Sequence, residues 1–198
     1  MSSPHHAPVA VLGAGSWGTA LAIQLARSGN PVLLWGHNAR HIRLMQEKRE
    51  NSPYLAGIRF PANLYPEPDL TKTVRHANDI LIAVPSHAFR EILSAIAPVV
   101  SPSTGIAWAT KGLEPGSHKL LTEVAQEMVG NLRPLAVVSG PTFAREVAEG
   151  LPTAVTIAAN DSRFSSKLAG HLHNGQFRPY TSDDMIGVSI GGAVKNVL

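Results

Sequence analysis

The fold is decided by one stretch of the chain, Val9-Ala10-Val11-Leu12-Gly13-Ala14-Gly15-Ser16-Trp17-Gly18-Thr19-Ala20-Leu21. A strand-length apolar run comes first, a turn rich in glycine follows, and helix-forming residues come next. Gly13 permits a tight turn, Gly15 lets a ligand approach the backbone, and Gly18 lets the helix pack closely on the strand. The helix N-terminus offers N–H groups and partial positive charge to an anion. We therefore predict a strand, turn and helix that hold the pyrophosphate of a dinucleotide, the alternative being a purely structural turn.

The composition is that of an ordinary globular chain. Its 198 residues are 44% hydrophobic, which is enough for one large domain with a real core. The lack of cysteine excludes disulfides, thiolate metal sites and a cysteine nucleophile, and it is compatible with the cytoplasm. A net charge of +3 is scattered along the chain, and no apolar run could span a membrane. We expect a small anionic substrate as partner, no nucleic acid, no membrane span and no metal, and we leave a homodimer open.

Beyond the glycine turn, strand-length apolar runs alternate with segments of helical periodicity. This order predicts an α/β protein with a Rossmann-type, doubly wound, mainly parallel sheet that is covered on both faces. The predicted strands are residues 9–12, 32–35, 80–84, 105–108, 135–138 and 154–158, and the predicted helices are 17–28, 39–50, 88–97, 119–129, 142–149 and 162–173. Residues 51–69 contain four prolines and are predicted to form an ordered excursion or loop rather than a long helix.

The pattern changes near the end of the chain. Ser182-Asp183-Asp184 is a good helix start, and an apolar helix is expected from Met185 onward. Gly187 and Gly191 are spaced for close packing of this helix against another backbone. We interpret residues 1–182 as a dinucleotide-binding domain and residues 183–198 as the first helix of an all-α substrate domain whose remainder is missing.

Several motifs together resemble the bacterial NAD(P)-dependent glycerol-3-phosphate dehydrogenase family. The resemblance covers almost the whole chain, and the later motifs are more specific than the glycine turn. The motifs are Gly13-Ala14-Gly15-Ser16-Trp17-Gly18-Thr19-Ala20-Leu21, Leu34-Trp35-Gly36-His37, Val84-Pro85-Ser86-His87, Trp108-Ala109-Thr110-Lys111-Gly112-Leu113-Glu114, Ser139-Gly140-Pro141-Thr142-Phe143-Ala144 and Gly191-Gly192-Ala193-Val194-Lys195-Asn196-Val197. The resemblance implies reversible reduction of dihydroxyacetone phosphate to glycerol 3-phosphate, a precursor of phospholipids.

The resemblance also assigns roles to residues. Lys195, in apolar surroundings that would lower the pKa of an ammonium group, is implied to be the general acid in reduction and the general base in the reverse direction. The implied substrate contacts are Lys111, Gly140, Thr142 and Lys195. The implied cofactor contacts are Gly13, Gly15, Ser16, Trp17, Gly18, His37, Tyr54, Lys111 and Ala144. From the residues alone, the two lysines could equally be surface cations, Thr142 a helix cap and Tyr54 an ordinary packing residue.

The choice of cofactor is indicated by the residues after the second predicted strand. Many NAD-binding folds place an acid there to accept hydrogen bonds from the adenosine ribose, whereas this chain has Trp35-Gly36-His37-Asn38. The missing acid removes repulsion against a 2′-phosphate, and His37 and Arg40 could contact that phosphate. We therefore favour NADP(H), with NAD(H) also used. A solvent-facing Arg40 is the alternative.

Two other functions remain open at this point. The chain could belong to another dehydrogenase with a Rossmann domain and a helical domain, such as a hydroxy acid type. It could also be a nonenzymatic dinucleotide-sensing module, because the same fold hosts regulators. Lys195 favours an enzyme, since a sensor needs the glycine turn but no buried lysine on a following helix.

Overall fold

The computed structural model describes residues 8–194, which form an eight-stranded sheet. The strand order is β3-β2-β1-β4-β5-β6-β7-β8. The strands are β1 (Val9–Leu12), β2 (Val32–Trp35), β3 (Leu64–Glu67), β4 (Asp79–Ile82), β5 (Gly105–Trp108), β6 (Leu135–Ser139), β7 (Thr153–Ala159) and β8 (Phe177–Ser182). Strands β1 to β6 are parallel, β7 is antiparallel to β6, and β8 is parallel to β7. The prediction of a mainly parallel, doubly wound sheet is confirmed.

Helices cover both faces of the sheet. They are α1 (Ser16–Arg27), α2 (Ala39–Lys48), α3 (Ser52–Leu55), α4 (Leu70–Arg75), α5 (Ser86–Ile96), α6 (Leu121–Val129), α7 (Ala144–Glu149), α8 (Ser162–Leu172) and α9 (Met185–Val194). Residues of α1, α2, α3, α7 and α8 form one apolar core with alternate strand residues such as Val11, whereas α4, α5, α6 and α9 form the other core with residues such as Leu12. Alternate side chains of each strand therefore face opposite helical layers, as a doubly covered sheet requires.

The structure contains four elements that the sequence prediction lacked, namely α3, β3, α4 and β8. Residues 51–69, predicted as an ordered excursion or loop, contain α3 and β3, and α4 follows them. Strand β3 lies at the edge of the sheet, where Pro66 is tolerated because one side of the strand needs no ladder bond. Strand β8 was also missed, because its residues are largely exposed and give no apolar run.

The topology positions a candidate site at the carboxyl ends of the parallel strands. The chain leaves β1 toward β2 on one side and later returns to pair β4 on the other side of β1. Ligands of open α/β sheets bind at the carboxyl ends of the strands beside such a switch point. The loops after β4 and β5 are joined there, since the Thr110 hydroxyl donates to the Val84 carbonyl at 2.8 Å. The glycine turn after β1 lies at these same carboxyl ends.

An ionic cluster around the buried carboxylate of Asp79 lies at the amino ends of the strands, opposite the candidate site. Asp79, at the start of β4, contacts Lys167 at 2.7 Å and His171 at 3.0 Å. His171 also contacts the side chain of Asn30 at 2.7 Å. Burial alone would raise the pKa of Asp79, but the hydrogen bonds from His171 and Lys167 outweigh it, and the net pKa is lowered. The cluster therefore ties helix α8 to the sheet through a carboxylate that remains charged.

Helix α9 begins where the sequence predicted. The Asp184 carboxylate accepts a hydrogen bond from the Gly187 N–H at 2.7 Å, which caps the first turn. Among the described residues, the atoms nearest to a Cβ at Gly187 belong to Asp184 of its own turn, and a Cβ at Gly191 would meet nothing within 4 Å, so the close packing predicted for these two glycines stays a prediction. Gly192 makes a close approach, as described below. Within residues 8–194, no helix has the length and apolar character needed to cross a membrane.

Candidate functional site

The glycine turn has the geometry of a ligand cradle. Gly13 has a φ of +122°, and a Cβ there would lie 2.7 Å from the Ala83 carbonyl oxygen. A Cβ at Gly18 would lie 1.9 Å from the Gly13 carbonyl oxygen, so Gly18 is needed for contact with the turn and with Ala83 rather than with strand β1. Gly15 precedes the first residue of α1, Ser16, and a Cβ on Gly15 would meet nothing within 4 Å. Two glycines are therefore required by the protein itself, whereas Gly15 faces open space.

Trp17 connects this cradle to Lys111. The Trp17 indole N–H donates to the Ala109 carbonyl at 3.2 Å, which ties the first turn of α1 to the segment after β5. The Lys111 ammonium lies 5.5 Å from the centroid of the Trp17 ring, within reach of a cation–π interaction. The same ammonium contacts the Gly140 carbonyl oxygen at 3.5 Å. Lys111 is thus half-buried between the glycine turn and the segment after β6 rather than being a solvent-facing surface cation.

The segment after β6 carries the other predicted contacts. Gly140 has no room for a side chain, because a Cβ would lie 2.7 Å from the Ala154 carbonyl oxygen. Thr142 is 8% exposed. It does not occupy the N-cap position, since α7 begins at Ala144 with Phe143 in that position. Ala144 packs on the core that contains α1, and α7 therefore lies against the helix that follows the glycine turn.

Helix α9 reaches the same place from the other direction. A Cβ at Gly192 would lie 2.8 Å from the Ser139 hydroxyl oxygen and 3.9 Å from the Lys111 Cγ. Earlier in the helix, the hydroxyls of Ser189 and Thr122 are 3.1 Å apart. Lys195 follows Gly192 by three residues in the sequence and lies outside the described residues. The structure therefore brings α9 beside Lys111, and the role assigned to Lys195 stays a prediction.

The residues predicted for the adenosine end of a dinucleotide lie around the start of α2. His37 and Arg40 are both exposed there, and the Asn38 side chain caps the helix by accepting from the His41 N–H at 3.1 Å. Tyr54, in α3, is 54% exposed. Its ring centroid lies 5.7 Å from that of His41. These side chains form an accessible rim on the β2 side of the glycine turn.

Gly36, directly after β2, leaves no room for a side chain. A Cβ at this position would lie 2.8 Å from the Ala14 Cβ and 3.0 Å from the Ile42 Cδ1. The backbone of β2 therefore passes too close to the glycine turn for a carboxylate side chain at this residue. The sequence revealed that the acid was missing but not this steric reason.

Sequence reasoning overlooked the ion pair that fixes the loop carrying Lys111. Glu114 is 9% exposed and accepts two hydrogen bonds from the Arg90 guanidinium, at 2.6 Å and 2.9 Å. The Arg90 hydrogen bond, followed by one from Ser117, lowers the pKa of Glu114 to about 2. His87, exposed in α5, lines a surface groove together with Arg90 and Glu114. The only signal in the sequence was that Glu114 closes the Trp108-to-Glu114 motif.

Asn51 is a second residue that sequence reasoning missed. It is fully buried beside the glycine turn and hydrogen-bonds Ala14, Thr19 and His41. Proline-rich surroundings led us to predict a loop here, and a lone asparagine in a loop gives no pattern. Among the described residues, no group of three or more histidine, aspartate or glutamate side chains is placed to hold a metal ion.

Comparison with known proteins gives a consistent family. The family model described as "NAD-dependent glycerol-3-phosphate dehydrogenase N-terminus" matches residues 8–165. A Bartonella henselae protein named glycerol-3-phosphate dehydrogenase [NAD(P)+] is 54% identical over 195 residues, which cover 98% of this chain and 57% of that protein. The protein of the same name from Legionella pneumophila is 50% identical over 96% of this chain and 57% of its own length.

A solved structure agrees with these relatives. The crystal structure of glycerol-3-phosphate dehydrogenase from Coxiella burnetii superposes with a TM-score of 0.93 at 48% identity, covering 98% of this chain and 59% of that one. The chain thus spans less than two thirds of the length of the relatives that it matches. Because the family model covers most of the chain and these relatives match nearly all of it, the chain belongs to the NAD-dependent glycerol-3-phosphate dehydrogenase family.

Proposed function

We propose that the full-length protein carrying this chain reduces dihydroxyacetone phosphate reversibly to sn-glycerol 3-phosphate with a nicotinamide dinucleotide, and so supplies glycerophospholipid synthesis. The observation that carries the proposal is the position of Lys111. It lies between Trp17, beside the dinucleotide cradle, and Gly140, in a segment predicted to contact substrate. A cation at that point can serve a carbonyl that must lie next to the cofactor.

The glycine turn fits a dinucleotide. The open space beside Gly15 and the N-terminus of α1 together provide room and N–H donors for a pyrophosphate. We favour NADP(H), with NAD(H) also accepted, because Gly36 has no space for an acidic side chain and the exposed His37 and Arg40 stand nearby. The relatives named above carry NAD(P)+ in their names, which supports either cofactor.

The proposed reaction needs residues that stabilise charge, transfer a proton and bind the substrate and cofactor. When bound, the nicotinamide supplies the hydride for the ketone carbon. The carbonyl oxygen gains negative charge as it is reduced, and the Lys111 ammonium would stabilise that charge. Lys195 would donate the proton to the oxygen, and in the reverse direction it would accept it. Gly140 and Thr142 would contact the substrate, and Ala144 the cofactor, at the same end of the sheet.

We also propose how the chain is divided into domains. Residues 1–182 would bind the dinucleotide, and residues 183–198 would begin a helical domain that completes the substrate site. The greater length of the relatives supports this division. We further propose that the protein acts in the cytoplasm on small molecules and does not bind nucleic acid. A homodimer is the oligomeric state that we propose to test.

The direct test is turnover by the full-length protein. Dihydroxyacetone phosphate should cause oxidation of NADPH, followed by absorbance, and glycerol 3-phosphate should reverse it. A 2-keto acid is the matched control substrate and should give no turnover. Inertness toward dihydroxyacetone phosphate together with turnover of the keto acid would refute the proposal in favour of a hydroxy acid dehydrogenase. Binding of cofactor without any turnover would indicate a sensing module.

A further inference from the structure

Asn51 makes three side-chain hydrogen bonds although it is fully buried. Its amide nitrogen donates to the Ala14 carbonyl at 3.0 Å and to the Thr19 hydroxyl at 2.8 Å. Its amide oxygen lies 2.8 Å from Nε2 of His41. One side chain therefore joins the glycine turn, the first turn of α1 and helix α2.

The orientation of this amide follows from its partners. A carbonyl oxygen can only accept a hydrogen bond, so the atom that faces Ala14 must be the amide nitrogen of Asn51. The amide oxygen then faces His41, and Nε2 of His41 must carry the hydrogen that it donates. The bonds to Ala14 and His41 thus fix the Asn51 side chain in one direction.

The bond to Ala14 also determines where the next N–H points. The Ala14–Gly15 peptide is trans and planar, so its C=O and N–H groups point in opposite directions. Because the Ala14 carbonyl is held toward buried Asn51, the Gly15 N–H is held away from it. A Cβ on Gly15 would meet nothing within 4 Å, so the backbone at this residue borders open space.

We propose that Asn51 is a positioning residue for the dinucleotide pyrophosphate: by holding the Ala14 carbonyl inward, it keeps the Gly15 N–H aimed at the phosphate. The inference rests on the proposed function, since it needs a dinucleotide in the cradle. Asn51 itself is buried beneath the turn and acts through the peptide, without touching the ligand. The competing explanation is that Asn51 only stabilises the fold by linking α1 to the segment before α3.

Two substitutions separate these explanations. Asn51→Asp keeps the shape of the side chain but replaces the donor to Ala14 by an acceptor, so the Ala14 carbonyl loses its partner and is repelled. Thr19→Val is the matched control, because it removes the other hydrogen bond of the same Asn51 nitrogen at an equally buried place while leaving the bond to Ala14. Asn51→Leu removes the donor without adding charge and serves where the aspartate variant does not fold.

The experiment measures steady-state kinetics of the full-length protein, with thermal unfolding as the check on folding. A hydrogen bond to a charged group contributes enough that Asn51→Asp should raise the KM for NADPH about tenfold or more. Its kcat and its KM for dihydroxyacetone phosphate should stay within about twofold of wild type. Thr19→Val should leave all three parameters within about twofold of wild type.

Each other result overturns a specific statement. Equal KM values for NADPH in folded Asn51→Asp, Thr19→Val and wild type would reject the positioning role, as would an equal rise in both variants. A parallel loss of kcat and of both affinities in the Asn51 variants would assign Asn51 to the fold alone. If wild-type protein failed to oxidise NADPH with dihydroxyacetone phosphate, the proposed function would be rejected first, and this role with it.

Discussion

Gly15→Ala should separate ligand binding from folding at the glycine turn. The added methyl group meets nothing within 4 Å, and the backbone at Gly15 has φ −78° and ψ −173°, which alanine adopts without strain. Gly18→Ala is the matched comparison in the same turn, because there the methyl would lie 1.9 Å from the Gly13 carbonyl oxygen. Both substitutions add one methyl group, at Gly15 into open space and at Gly18 into contact with the protein backbone.

The expected magnitudes follow from these distances. Alanine at position 15 restricts the unfolded chain, which stabilises by about 0.4–1 kcal/mol, but alanine is a poorer N-cap than glycine by a similar amount. The free energy of unfolding should therefore change by less than about 1 kcal/mol. The methyl occupies the space through which a phosphate must approach the N–H groups, and each lost charged hydrogen bond costs about 1.5–3 kcal/mol, so affinity should fall about tenfold to a hundredfold or more. Gly18→Ala should lose about 1–3 kcal/mol of stability or more through overpacking.

The assay combines thermal unfolding with titration of NADPH and NADH into the wild type and both variants. A Gly15→Ala protein with unchanged stability and strongly weakened binding of both cofactors is the expected result. Wild-type affinity in this variant would show that the ligand does not approach the backbone at Gly15, and the assignment of the cradle would be wrong. A loss of stability as large as that of Gly18→Ala would show that the space beside Gly15 is not open.

Three further outcomes are expected. In Glu114→Gln the loop that carries Lys111 should loosen. In the wild type, the ion pair of Glu114 with Arg90 should contribute fully to stability above the ordinary carboxyl pKa of 4.5, and this contribution should be lost as the pH falls toward about 2. Unfolding measured against pH should therefore show an acid-dependent loss of stability in the wild type that the variant lacks. Asp79→Asn should cost about 1–2 kcal/mol in denaturant unfolding, because the buried carboxylate loses its ionic hydrogen bonds to partly buried His171 and to exposed Lys167. Lys195→Ala should reduce kcat by roughly a hundredfold or more in the full-length protein while the Kd for NADPH stays nearly unchanged, and near-normal turnover would reject its role.

The sequence predicted the centre of the sheet well because that part has a strong periodic signal. Strands that are buried on both faces, such as β1 and β4, consist of continuous apolar runs, and the glycines after β1 mark the turn without ambiguity. Strands β3 and β8 lie at the two edges, where half-exposed residues and prolines hide the pattern. Edge strands are recognised only when their neighbours are known.

The candidate site was predicted unevenly for a similar reason. Lys111 and Gly140 follow strands whose carboxyl ends lie at the same end of the sheet, so their proximity could be anticipated from topology. The contacts of Trp17 and the hydrogen bonds of Asn51 depend on how separate segments pack, and no local pattern encodes them. Glu114 was visible as part of a motif, but its pairing with Arg90 required the fold.

Gly192 determines how closely α9 can approach Ser139 and Lys111. A methyl group there would lie 2.8 Å from the Ser139 hydroxyl oxygen, so either the Ser139 side chain must rotate or α9 must shift outward. A shift of about 1 Å between reacting groups can slow an enzyme roughly a hundredfold even when every group is present. In the proposed enzyme, a replacement of Gly192 that displaces α9 would therefore slow the reaction while leaving every reacting group in place.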